Sequence, residues 1–387
     1  MECNIRTVNG TVGGVIEGNC WRCRRSRAAT VEVVADVVGV VEVVDVVAGA
    51  VEDLAVSPSV DDAVAFSLKF SSIRLSVHPP EMETPYPKPI SSTKTRIGWI
   101  GIGVMGEAMA SRLLAAGYSV TIYARTPSKA LSLHSKGATL VASPYQVAQS
   151  CDVVFSMVGN PQDVRSIVLE NNGVLSGLNP GGVYVDTTSS HPALAREIYK
   201  TAQLKDCWAV DAPVSGGDIG ARDGKLAIFA AGDRGVVEWL SPIFEVMGKP
   251  TYMGEAGCGQ SCKIANQIVV GANLMGLSEG LVFAEKAGLD GRNWRDAVRE
   301  GAAGSMVMEL FSERMIDKDF RPGGFAEYMV KDMGMGVDVV EESENDNLVV
   351  LPGAALGKQL FSAMVANGDG KFGTQGLISV IQRINGK

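Results

Sequence analysis

The chain has 387 residues, 46% hydrophobic and 20% charged, a balance that suits two or three globular domains with a sizeable core. A formal net charge of −8 argues against nucleic acid or an anionic membrane as a partner, and no apolar run reads as long enough to span a bilayer. Seven scattered cysteines read as reduced thiols. Cys20-x-x-Cys23 has no second pair or histidines beside it, so no metal site is expected.

Residues 1–93 do not read like the rest. Val31 to Asp53 is low-complexity, valine interleaved with Glu, Asp, Ala and Gly, without a helical stripe or strand alternation. Arg22 to Arg27 is a short basic cluster, and Ser67 to His78 is basic, Ser-rich and acid-free. Two readings stand, a disordered head and an organelle-targeting segment, and the missing core pattern favours the first. Met82-Glu83-Thr84-Pro85 opens a proline-rich linker, so the folded part is expected to start near Met82.

The run Arg96 to Ile100 is rich in β-formers and ends in Gly101-x-Gly103-x-x-Gly106, followed at once by Met105, Met109 and Leu113 at four-residue steps. Strand, glycine turn and helix in that order are the dinucleotide fingerprint. The glycines provide a tight turn, close backbone approach to a pyrophosphate, and close packing of helix on strand. The helix N-terminus adds unpaired N–H groups and a positive dipole end. Strands then alternate with helices: strands at Ser119–Ala124, Asp152–Met157, Val183–Asp186, Trp208–Asp211 and Leu226–Ala231, and helices at Pro127–Lys136, Pro161–Leu169, Pro192–Ala202 and Gly235–Met247. That pattern predicts a doubly wound parallel sheet. No Asp or Glu lies between Glu107 and Asp152, and the second strand ends in Tyr123-Ala124-Arg125-Thr126, with Lys129 one turn on. Without an acid for the ribose hydroxyls, Arg125, Thr126 and Lys129 predict NADP rather than NAD, with NAD as the second choice.

From Gly259 to Ala287 the chain reads as one helix, apolar nearly all round, which predicts burial on several sides. Gly271, Gly276 and Gly280 predict close neighbours. Further helices are expected at Trp294–Glu300, Ser305–Ile316, Lys331–Glu342, Ala354–Asn367 and Thr374–Ile384, so the second domain reads as all-helical. The domains are read as 1–93, 94–256 and 257–387.

Four polar stretches stand out. Asp186-Thr187-Thr188-Ser189-Ser190-His191-Pro192 ends a strand, and its hydroxyls are candidates to cap the next helix. Asp211-Ala212-Pro213-Val214-Ser215-Gly216-Gly217 offers backbone N–H groups to a carboxylate. Lys263 and Asn266 share a face of an apolar helix, where a buried ammonium needs a partner or a function. Lys331-Asp332 stands near the start of a later helix.

Gly98 to Gly106, Asp211 to Gly217, Lys263-Ile264-Ala265-Asn266-Gln267 and Lys331-Asp332, in that order, resemble the β-hydroxyacid dehydrogenase family, most nearly its 3-hydroxyisobutyrate dehydrogenase-like members in plants. The resemblance spans about residues 94 to 386. It implies a Rossmann domain, a helical domain and hydride transfer between a nicotinamide and a small β-hydroxy acid or its aldehyde. It implies Lys263 as general acid/base, Asn266 as the group orienting substrate and lysine, and Ser189, Ser215, Gly216 and Gly217 as substrate holders. It places Gly101, Ile102, Gly103, Val104, Met105, Gly106, Val158, Ser189 and Lys331 at the cofactor. Ser189 stands where the family often has threonine. A small carboxylic substrate, a homo-oligomer (dimer or tetramer), and no nucleic acid, membrane or metal complete the expectation. An NADPH-dependent reductase of glyoxylate and succinic semialdehyde is the alternative. A non-catalytic binding module is disfavoured by the intact Lys263.

Overall fold

The computed structural model describes residues 5–8, 11–14, 89–341 and 349–386. The valine-rich tract, the Ser67–His78 stretch and the start near Met82 lie outside the described residues. Strands β1 (Ile5–Val8) and β2 (Thr11–Gly14) form an antiparallel pair of their own.

The main sheet contains β3 (Arg96–Ile100), β4 (Ser119–Tyr123), β5 (Thr139–Leu140), β6 (Val153–Ser156), β7 (Val183–Asp186), β8 (Trp208–Asp211), β9 (Val214–Ser215), β10 (Leu226–Ala231) and β11 (Gly248–Gly254). Its order is β11-β10-β8-β7-β6-β3-β4-β5, with β9 beside β10. The six strands from β5 to β8 run parallel in the order of a dinucleotide-binding sheet, whose direction of winding reverses between β3 and β6. The far edge departs from the expected all-parallel sheet: β10 runs antiparallel to β8, and β11 follows β10. Between Asp211 and Leu226 the chain forms β9, which pairs antiparallel with β10, and the short helix Gly217–Asp223, so β10 returns as the second arm of a hairpin-like excursion.

The helices of this half are α1 (Val104–Ala115), α2 (Leu131–Ser135), α3 (Pro144–Ser150), α4 (Pro161–Leu169), α5 (Val174–Gly177), α6 (Pro192–Gln203), α7 (Gly217–Asp223), α8 (Arg234–Trp239) and α9 (Ser241–Met247). They cover both faces of the sheet. Ile97, Trp99, Val153, Phe155, Val183 and Val185 pack with Met109, Leu113, Phe244 and Met247 on one face. The alternate residues Val154, Tyr184 and Ala209 pack with Val147, Val164, Leu194 and Ile198 on the other. Strands buried on both sides explain the near-continuous apolar runs. The helix expected over Gly235–Met247 is broken into α8 and α9, with Pro242 in the first turn of the second. The helix expected over Pro127–Lys136 begins as a 3-10 turn, Pro127–Ala130. β5, β9, α3, α5 and α7, of two to seven residues, are too short for a periodic signal.

At the glycine turn, Gly101 has φ +96°, and a Cβ there would lie 2.2 Å from the Met157 carbonyl oxygen. A Cβ on Gly106 would lie 2.0 Å from the Gly101 carbonyl oxygen, so α1 rests directly on the end of β3. Gly103 faces open space.

The helical half starts with α10 (Cys258–Lys286) and continues through α11 (Gly291–Val298), α12 (Met306–Ile316), α13 (Ala326–Glu341), α14 (Pro352–Ala366) and α15 (Leu377–Ile384). α13 begins five residues earlier than expected. Leu274, Leu277 and Leu281 of α10 pack with Met308, Met329, Met333, Phe361 and Leu377. Gly271 and Gly357 leave room for the end of Met333, and Gly280 admits the Trp294 ring; Gly276 faces open space, against expectation. One stripe of α10 is also exposed, with Val269 at 60% and Phe283 at 73%, so burial is less complete than the apolar sequence implied. By length and composition alone α10 could cross a membrane, a correction to the reading of its apolar run. Its buried side instead belongs to the helical core.

Because the atom opposing a Cβ at Gly106 is backbone, Gly106→Ala forces α1 off β3. Overpacking of this kind costs about 1–3 kcal/mol, and a chemical denaturation midpoint below that of the parent checks it.

Candidate active site

The carboxyl ends of β3, β4, β6, β7 and β8 lie along one edge of the sheet, and the start of α10 meets that edge at β8 through Asp211. On the dinucleotide side, α1 has Gly103 at its N-cap with no side-chain cap, so its first-turn N–H groups are left for a ligand. Gly103 and Val104 are exposed, Met105 is half-buried, and Ile102 is buried in the core. This open cradle, with backbone where side chains would otherwise stand, fits a pyrophosphate. Val158 packs against Gly101, with Cγ1 at 3.0 Å from the position of a Cβ there. Its N–H donates to Thr188 Oγ1 at 3.0 Å, tying the glycine turn to the loop after β7.

Arg125, Thr126 and Lys129 are exposed at the end of β4. Arg125 Nη1 lies 3.1 Å from Asp163 Oδ1. Asp163 sits in the first turn of α4, where its N–H donates to Asn160 Oδ1 at 2.8 Å and its Oδ2 accepts from Asn160 Nδ2 at 3.0 Å. This carboxylate arrives from the other side of the winding reversal, beyond the acid-free stretch that follows the glycine motif.

The hydroxyls after β7 do not cap α6 as expected. His191 does, its Nδ1 accepting from the Ala193 N–H at 3.2 Å. Thr187 Oγ1 instead donates to the Ser156 carbonyl at 2.6 Å, and the Ser189 carbonyl accepts from Lys331 Nζ. The Ser190 backbone N–H donates to Gln260 Oε1 at 2.8 Å, and Gln260 Nε2 donates to the Thr188 carbonyl at 2.8 Å.

Beneath this loop lie two neighbouring carboxylates, Asp186 and Asp211, cross-strand partners at the ends of β7 and β8. Asp186 Oδ1 accepts from Ser156 Oγ at 2.9 Å and the Thr188 N–H at 3.0 Å. Asp211 accepts from the Gly257 N–H at 2.8 Å and the Gln260 N–H at 2.9 Å, so it holds the first turn of α10. Burial pushes both up to about 6, against the lowering effect of those donors.

In the second turn of α10, Lys263 is buried, 8% exposed. Burial lowers its pKa to about 8; Asp332 acts in the opposite direction and Lys331 adds to the lowering. Lys263 Nζ donates to Gln267 Oε1 at 3.1 Å. Gln267 Oε1 also accepts from Asn266 Nδ2 at 2.9 Å, and Gln267 Nε2 donates to Asp332 Oδ2 at 2.8 Å. Asp332 Oδ1 pairs with Lys331 Nζ at 2.9 Å. Among the described residues Asn266 meets the lysine through Gln267, which stands at i, i+4 from Lys263. Ser215 lies in β9, paired with β10, and Gly216 (φ +129°) and Gly217 (φ +62°) turn the chain into α7. Among the described residues no side-chain hydrogen bond joins these three to the Lys263 cluster.

Residues 96–259 match the model of the NAD-binding domain of 6-phosphogluconate dehydrogenase, and residues 257–381 that of the NAD-binding domain of NADP-dependent 3-hydroxyisobutyrate dehydrogenase. The probable 3-hydroxyisobutyrate dehydrogenase-like 3, mitochondrial, of Arabidopsis thaliana is 61% identical over 306 residues, 79% of this chain and 93% of that protein. The chain belongs to the 3-hydroxyisobutyrate dehydrogenase-like family. The 2-hydroxy-3-oxopropionate reductase of Escherichia coli is 35% identical over 74% of this chain and 97% of its own length. The solved 3-hydroxyisobutyrate dehydrogenase of Mycobacterium tuberculosis with L-serine superposes with a TM-score of 0.67 at 25% identity, covering 74% of this chain and 99% of that one. This family member is thus an NAD(P)-binding oxidoreductase with a Rossmann domain followed by a helical one. Its two matched regions meet at residues 257–259, the turn that Asp211 holds.

Arg125 is exposed and its pair with the half-buried Asp163 is worth little by itself, which leaves the guanidinium available to a competing anion. Arg125→Ala is expected to weaken NADPH binding about ten- to a hundredfold, the worth of a charge-assisted bond, and to leave NADH binding nearly unchanged. Fluorescence titration with both cofactors decides it; equal losses would contradict the assignment. The carboxyl pair makes a second prediction. Between 3.8 and about 6 the folded chain holds the Asp186 proton that the unfolded chain has lost, so its contribution to stability falls as pH rises through that window. Asp186→Asn should flatten this slope, read from denaturation midpoints at several pH values.

Proposed function

We propose that this enzyme transfers a hydride between NADP(H), with NAD(H) as the weaker cofactor, and a small β-hydroxy acid or its semialdehyde. The observation that carries the reading is a buried lysine with its pKa lowered to about 8, in a hydrogen-bonded cluster tied through Lys331 to the loop beside the glycine turn. The bound nicotinamide supplies or takes the hydride. Lys263 moves the proton on the adjacent oxygen: its neutral amine accepts the hydroxyl proton in oxidation, and its ammonium donates to the developing alkoxide in reduction. Near neutral pH both forms are accessible, which an unburied lysine would not allow.

Gln267 orients the amine, and Asn266 orients Gln267 and the substrate. Ser189, with the backbone at Ser215, Gly216 and Gly217, holds the substrate carboxylate, so that one carbon faces the nicotinamide. The groups proposed to hold the cofactor are the glycine turn, Val158, Arg125, Thr126, Lys129 and Lys331. Semialdehyde reduction is the direction favoured by an Arg125 available to a 2′-phosphate and by the E. coli relative named as a reductase. The division at residue 256, between the sheet domain and the helical domain, leaves Lys263 on the helical side. The exposed apolar stripe of α10, with Leu356 and Ile384 also exposed nearby, supports a homo-oligomer; the acidic net charge supports neither nucleic acid nor membrane as a partner.

A panel of β-hydroxy acids, semialdehydes and glyoxylate, assayed with both nicotinamides, tests the reading; no turnover of any of them would refute it. Oxidation rates should rise with pH and level off above about 8, and reduction rates should fall across the same range. Lys263→Ala is expected to abolish both dependences and lower kcat by about two to four decades, with cofactor affinity little changed.

A further inference from the structure

We infer that Gln260 is a positioning residue for this reaction, its side-chain amide locking the loop that carries Ser189 to the helix that carries Lys263. The inference rests on the functional reading above. Gln260 stands one turn before Lys263 on α10 and has no solvent exposure. Its amide meets two backbone groups, one on each side of Ser189: Nε2 donates to the Thr188 carbonyl at 2.8 Å, and Oε1 accepts from the Ser190 N–H at 2.8 Å.

The glutamine is itself held from below. Its own N–H donates to Asp211 Oδ2 at 2.9 Å. At the neighbouring Gly259 a Cβ would lie 2.4 Å from the Phe229 carbonyl oxygen and 2.6 Å from that of Asp211. The first turn of α10 is therefore pressed against the ends of β8 and β10 and has no room to slide. The loop has two further anchors, the Val158 N–H on Thr188 Oγ1 and Lys331 on the Ser189 carbonyl. Through Gln260 the helix of Lys263 grips the loop directly.

Few replacements meet the same demands. The site needs one donor and one acceptor at amide spacing. A hydrocarbon leaves the Thr188 carbonyl and the Ser190 N–H unpaired in the interior, and a carboxylate satisfies Ser190 but turns lone pairs toward the Thr188 carbonyl. Loosening the loop lets Ser189, and any substrate group it holds, drift relative to Lys263 Nζ. A misplacement on the order of 1 Å costs about a hundredfold in rate.

The test compares the full-length parent, Gln260→Met and Gln260→Glu by amide hydrogen exchange over residues 186–192, by NADPH titration, and by steady-state reduction of a semialdehyde. Expected in Gln260→Met are faster exchange of the Ser190 amide, a kcat lower by about ten- to a hundredfold, and an NADPH Kd within about twofold of the parent. With 4-deuterated NADPH the isotope effect should grow as the hydride step becomes slower. Gln260→Glu should fall between, and it supplies the same comparison if the methionine variant does not fold. Unchanged exchange overturns the proposal. So does a variant with a lower Tm but parental kcat and isotope effect, which marks a purely structural residue, or one whose NADPH Kd weakens in step with kcat. Exchange is read without substrate. A parent that turns over no substrate refutes the functional reading, while the exchange data still decide whether Gln260 holds the loop.

Discussion

Asp211 and the first turn of α10 meet in the interior, where a carboxylate at the end of β8 accepts the Gly257 and Gln260 N–H groups. A helix start leaves such donors without partners, and here the partner is supplied by the sheet. Each hydrogen bond to a charged group is worth about 1.5–3 kcal/mol. The raised pKa of Asp211 nevertheless shows that burial outweighs its donors in setting its protonation. The gain is therefore one of placement as well as stability: the sheet, which holds the dinucleotide turn, determines where the helix bearing Lys263 begins.

The lysine depends on a second balance. Desolvation pulls its pKa down, and the Asp332 carboxylate pulls it up through space while reaching it by way of Gln267. Had Asp332 bonded to Lys263 directly, the ammonium would be favoured and proton exchange near neutral pH suppressed. With an uncharged amide interposed and Lys331 taking the other carboxylate oxygen, burial remains the largest influence. The same Lys331 reaches the Ser189 carbonyl, so the charge that moderates the lysine also ties α13 to the loop after β7.

That loop is where three parts of the chain meet: β6 through Val158, α10 through Gln260 and α13 through Lys331. Its backbone is held at the Thr188 carbonyl, the Ser189 carbonyl and the Ser190 N–H, while the Ser190 hydroxyl is buried with no hydrogen-bond partner among the described residues. Hydrogen bonds through this segment thus connect the dinucleotide turn, the loop and the lysine helix.

Much of this was legible in order along the chain. Apolar runs of strand length, helical periodicity and the spacing of Gly101, Gly103 and Gly106 determined the doubly wound sheet and the dinucleotide cradle, because each signal is local and Gly101 and Gly106 answer to atoms within a few residues or on the adjoining strand. The long helix and its buried lysine were equally visible, since an ammonium amid Ile264, Ile268 and Val269 stands out against its neighbours. What only the tertiary structure decided is which polar groups meet. Asp163 reaches Arg125 across 38 residues, Gln260 reaches Thr188 across 72, and Gln267 reaches Asp332 across 65. The sequence places each of these on a helix or at a strand end, but a hydrogen bond is satisfied over about 3 Å, and distances of that size across the chain are set by how sheet and helices pack.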